Sequence, residues 1–154
     1  MIKASITTNR DIDAYNKLLK IGNIDTNWSE LYFRSCEETI KENLIQSLIN
    51  DMKIEHTSNY LPETFGQILL FDKDIIYERI DEVKELFNGY NKNWILNLIC
   101  IKDGKSYIIS STLSQEKIEE LFNSSFIEDT LILNKFMLRK EIIKRAREMD
   151  NNIA

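Results

Sequence analysis

The chain has 154 residues, 43% hydrophobic and 29% charged, which fits one globular domain able to bury roughly 70% of the surface its unfolded form exposes. No apolar run approaches the ~20 residues of a membrane span, and no secretory h-region follows Met1, so a cytoplasmic protein with no membrane partner is expected. A formal charge of −5 disfavours nucleic acid as a partner.

Thr8, with Asp11 three residues on, opens an amphipathic helix that runs through Ile12, Tyr15, Leu18 and Leu19 and ends at Gly22. A second short helix is predicted from about Asn27, burying Trp28, Leu31 and Tyr32 or Phe33. Ser35 and Glu38 form a capping box for a third, with Ile40, Leu44, Ile45 and Leu48 inward. Period-2 character then begins. Residues 51–57 read as a short strand, Pro62 as a turn, and Phe65 to Phe71 as a buried strand.

Asp72 or Asp74 caps the next helix, which carries Ile75, Ile76, Ile80, Val83, Leu86 and Phe87 and stops at Asn88-Gly89. Trp94 to Ile101 is a continuous apolar strand, and Asp103-Gly104 predicts a two-residue hairpin turn into Ser106 to Ser110. Ser114 caps a helix with Leu113 and Ile118 as its hydrophobic staple, facing Ile118, Leu121 and Phe122 inward. A strand from Thr130 to Leu133 leads into a final basic helix. The expected fold class is α/β, a mixed, roughly five-stranded sheet flanked by helices and preceded by short N-terminal helices. Residues 1–50 form the helical N-terminal part and residues 51–154 the α/β domain.

Groups for catalysis are few. One histidine, His56, excludes a histidine-rich metal site, and Cys36 and Cys100 lack CxxC spacing and read as small hydrophobes. No P-loop or GxGxxG motif is present. What stands out is charge. Asn134 to Arg147 holds six cationic residues against Glu141 alone, a net of +5 that leaves −10 for the remaining residues. Lys144, Arg145 and Arg147 fall late in the helix, where cations favour the negative end of the dipole. Arg139 and Lys140 fall in its first turn, where positive charge opposes the dipole unless an anion is held there by the free N–H groups. These two are the candidate phosphate ligands.

Three stretches also carry a resemblance. Ser5 to Asp25, the strand start Asp51 to Glu55 and Leu138 to Ile143 at the last helix are similar to the C-terminal half of DHH-family phosphoesterases. The resemblance is specifically to manganese-dependent family II inorganic pyrophosphatases and related exopolyphosphatases; Phe65 to Asp72 is similar to that family's Gln-containing strand as well. The resemblance implies a DHH-associated domain that closes over substrate, with Lys53, Arg139 and Lys140 as substrate-phosphate ligands. It implies Mn²⁺ or Mg²⁺ bound by a DHH catalytic domain of the same polypeptide, none by this chain. Pyrophosphate or polyphosphate is the implied substrate. Leu138 and Glu141 stand where the family motif has serine and lysine, which leaves the choice of phosphate compound open. A standalone anion-binding or regulatory module without hydrolytic activity is the alternative, and a monomer is expected.

Overall fold

The computed structural model describes residues 28–153, together with Asp13, Ala14 and Lys17. The helix expected between Thr8 and Gly22 lies outside the described residues. Helices α1 (Trp28–Glu42) and α2 (Leu44–Asn50) lead into strands β1 (Lys53–Ile54) and β2 (Thr64–Leu70). Helices α3 (Asp74–Glu78) and α4 (Ile80–Tyr90) follow, then β3 (Trp94–Cys100) and β4 (Lys105–Ser110). A short 3₁₀ turn (Thr112–Ser114) precedes α5 (Gln115–Phe122), β5 (Thr130–Leu133) and α6 (Arg139–Ile153).

The expected mixed sheet is present. Its order is β1-β2-β3-β4-β5, with β2 and β3 parallel and every other neighbour antiparallel. Strand β3 lies at its centre and is buried along its whole length, which is why its sequence is apolar without alternation. On one face, Ile68, Leu70, Leu96 and Leu98 pack against Leu44 and Leu48 of α2 and Val83 and Phe87 of α4. On the other, Phe65, Ile95, Ile108 and Leu131 pack against Ile118 and Leu121 of α5 and Ile142 and Ala146 of α6. The result is a three-layer α/β/α arrangement. Among the described residues no helix is long and apolar enough to cross a membrane.

Gly66 lets the first face close. A Cβ there would stand 2.6 Å from Cζ of Phe87 and 3.2 Å from Leu96 Cδ1, so the α4 ring lies directly on the β2 backbone. Phe87 in turn stacks on Trp94, with ring centroids 5.0 Å apart.

Several boundaries differ from the sequence reading. The helix predicted from Asn27 and the first part of that predicted from Ser35 are one helix, α1, while Leu44, Ile45 and Leu48 lie on α2 beyond a break at Asn43 (φ −123°, ψ 36°). No glycine or proline interrupts that stretch, so a capping-box pattern alone does not start a new helix. Leu31 and Tyr32 are exposed rather than inward. The helix after Asp72 breaks at Arg79, whose backbone leaves helical geometry (φ −120°, ψ 27°) while its guanidinium reaches the Lys41 carbonyl and Glu82. Gly89 lies inside α4 instead of ending it.

The hairpin loop has four residues, because Cys100 pairs with Lys105 and the Ile101 and Lys102 N–H groups donate to Leu70 and Phe71 of the neighbouring parallel segment. Gly104 (φ 66°) supplies its left-handed position. The staple before α5 is not made: Leu113 is 71% exposed, and Ser114 bonds Ser111 and Asn93 rather than capping the helix.

Candidate anion-binding cleft

The start of α6 is held from beneath by polar side chains set into otherwise apolar strands. Gln67 of β2 and Asn97 of β3 are register partners and project from the same face as Ser106 of β4. Gln67 Oε1 accepts from the backbone N–H of Arg139 at 2.7 Å and from Asn97 Nδ2 at 3.2 Å. Asn97 Nδ2 also donates to the Met137 carbonyl at 2.7 Å. Ser106 Oγ accepts from the Met137 N–H at 2.9 Å and donates to its carbonyl at 3.2 Å. Buried polar groups in a sheet are costly unless paired; here they satisfy the loop that leads into the helix, and of the Asn97 amide only Oδ1 is left without a partner among the described residues. Three strands thus fix where α6 begins.

Arg139 is the first residue of that helix, and it is buried, only 8% exposed. Its Nη1 donates to the carbonyls of Asp51 (2.5 Å) and Phe65 (3.1 Å), and Nη2 to Asp51 Oδ1 (3.1 Å). The guanidinium carbon lies 5.9 Å from the Phe65 ring centroid. Three of its five N–H donors are therefore committed to joining α6 with the segment before β1 and with β2. The Nε–H and one Nη2 donor have no partner among the described residues.

Lys53 and Lys140 are exposed. A cleft of about 620 Å³ brings them together with Arg139, between β1 and the length of α6, with Gln67 among its lining residues. All three sequence-predicted ligands thus line one concavity. Along the helix, the first-turn N–H groups of Lys140 and Glu141 have no hydrogen-bond partner among the described residues, as expected at a helix start, and the first bond inside α6 is Ile142 N–H to Leu138 O at 3.0 Å.

Lys144 and Arg147 line the same cleft. In sequence, their place late in the helix, with Arg145, suggests cations at the negative dipole end. Because α6 runs to Ile153, all three sit in its middle, and no basic residue occupies its last turn. Arg145 faces away, donating to the Leu121 carbonyl and lying over the Phe122 ring. The spacing 140, 144, 147 is that of one helix face and was readable from the sequence. The floor residues had a signal too, an amide interrupting each of two apolar runs.

His56 is exposed, Cys36 is half-buried and Cys100 is buried. Among the described residues no group of three or more His, Cys, Asp or Glu side chains is arranged to hold a metal ion. No metal-dependent step is assigned to the described residues.

No protein-family model matches the sequence, and no curated protein matches it significantly. Among solved structures, the fold is similar to that of a Methanococcus jannaschii protein described as a family II inorganic pyrophosphatase. The TM-score is 0.63 at 18% identity, over 96% of this chain and 50% of that one. The chain thus spans half the length of that protein. At this identity the likeness is one of fold: the chain shares its α/β fold with half of that protein.

Proposed function

We propose that this chain is the substrate-clamping domain of a phosphoric anhydride hydrolase of the pyrophosphatase or exopolyphosphatase type. Lys53 and Lys140 neutralise phosphate oxygens from opposite walls of the cleft. Arg139, held rigid by Asp51, directs its remaining N–H donors toward the same anion. Fixed donors aimed at phosphate oxygens stabilise charge in the transition state without reorganising when the reaction occurs. The metal ions and the attacking water belong to a DHH-type domain of the same polypeptide, and closing the two together confines hydrolysis to bound substrate.

The observation that carries this reading is the convergence of Lys53 with the first turn of α6 in one cleft, although the chain separates them widely. The similarity in fold to part of a pyrophosphatase supports it. Calorimetric titration with pyrophosphate tests it. We expect saturable binding that weakens roughly tenfold or more in Lys53→Gln/Lys140→Gln, since each charge-assisted bond contributes about 1.5–3 kcal/mol. Equal affinity in the double variant would remove the clamp. Metal-dependent release of phosphate from pyrophosphate by this chain alone would contradict the division of labour.

A further inference from the structure

Four cations facing one cleft are more than a single phosphate needs. Lys140, Lys144 and Arg147 follow one another along α6 at helical spacing, with Lys53 opposite. Like charges three or four residues apart destabilise a helix by about 0.2–0.5 kcal/mol per pair. Neutralising partners are at hand, since Glu55 and Glu148 line the same cleft. Yet among the described residues none of these four cations forms an ion pair with a carboxylate. Their charge is left facing the cleft.

The far end of the row is also shaped. Arg147 Nε donates to the Thr57 carbonyl at 3.1 Å, which ties that side chain across to the segment after β1 and leaves its two Nη groups uncommitted. Thr57 lines the cleft as well, and its Oγ1 is buried with no hydrogen-bond partner among the described residues. At 1.5 Å rise per residue, the backbone advances about 10 Å from Lys140 to Arg147, more than two linked phosphoryl groups span.

We propose that Lys144 and Arg147 form a second anion subsite one to two turns along α6, so that the cleft selects a linear polyanion over a compact one. The proposal rests on the phosphate-clamping reading and extends it. Among the described residues no aromatic side chain lines the cleft to stack a base, whereas Leu138 and Ile143 add apolar wall. The recognition is therefore of charge repeated along a chain, not of a nucleobase.

Titration with phosphate, pyrophosphate and tripolyphosphate at one fixed ionic strength near 0.15 M tests this, because screening over about 8 Å keeps the two ends of the row separate. We expect the wild-type chain to bind tripolyphosphate at least tenfold more tightly than pyrophosphate. Lys144→Gln/Arg147→Gln should abolish that preference while leaving pyrophosphate affinity within about twofold. Arg147→Lys, which keeps the charge, should retain most of the preference and serves as a control for folding. Tripolyphosphate affinity unchanged in the double variant would overturn the subsite. So would an equal loss for all three anions, which would show one diffuse positive field. Absence of saturable pyrophosphate binding to wild type would instead sink the clamping reading itself.

Discussion

Arg139 and Lys140 adjoin in sequence and differ in what their removal should do. Arg139 is buried and satisfies two backbone carbonyls and the Asp51 carboxylate. Arg139→Ala should cost about 2–3 kcal/mol in stability, since truncation leaves buried acceptors unpaired. Lys140→Gln, at an exposed position, should stay within about 0.5 kcal/mol. Urea unfolding of the two variants checks this, and equal losses would mean that Arg139 is not the structural tie its contacts describe. The sequence placed both residues at the helix start. It could not reveal the burial of Arg139, because Asp51 and Phe65 reach it only through the tertiary fold.

Two glycines make a matched pair at the same scale. Gly66→Ala forces a Cβ into the Phe87 ring and should destabilise by about 1–3 kcal/mol, as overpacking does. Gly89→Ala meets no atom within 4 Å inside a helix and should stabilise by up to about 1 kcal/mol. Thermal unfolding should therefore shift in opposite directions for the two. A fall in both would contradict the placement of Gly89 within α4.

Among the elements, the β3–β4 hairpin carries its own charge lock. The Tyr107 hydroxyl donates to Asp103 Oδ2 at 2.6 Å and Lys73 Nζ lies 3.2 Å from the same oxygen. The Tyr107 bond first, and Lys73 after it, hold the Asp103 carboxyl below its usual range despite partial burial. Burial, then Asp103, pushes the Tyr107 phenol up. A depressed carboxylate pKa adds stability that is complete above the unfolded value of about 3.9 and is lost as pH falls toward the folded one. Asp103→Asn should therefore be less stable than wild type at pH 6, with the gap narrowing by pH 3. A gap independent of pH would assign Asp103 a purely steric role.

The elements themselves were legible where local chemistry is decisive. Strand β5 and the buried β2 and β3 runs follow directly from apolar continuity. The misplaced features have non-local causes. The hairpin widened because Ile101 and Lys102 bond the adjacent parallel segment, and the helix after Asp72 broke where Arg79 reaches α1. No window along the chain contains those partners.

For the whole molecule, the sheet serves as a platform whose polar inlay of Gln67, Asn97 and Ser106 sets the start of α6 opposite Lys53. The sequence supplied the cations, and the fold decided which of them share a cleft: Lys144 and Arg147 do, and Arg145 does not. Helix position had been the wrong criterion for that choice, since helix face governs what a side chain meets.

Titrating isotope-labelled protein with pyrophosphate while following backbone amides measures the site directly. We expect saturable shifts concentrated at Arg139, Lys140, Glu141 and Lys53, with apparent affinity roughly tenfold or more weaker in Lys53→Gln/Lys140→Gln. Shifts that scatter over the surface without saturating, or that are identical in the double variant, would contradict a phosphate clamp at this cleft.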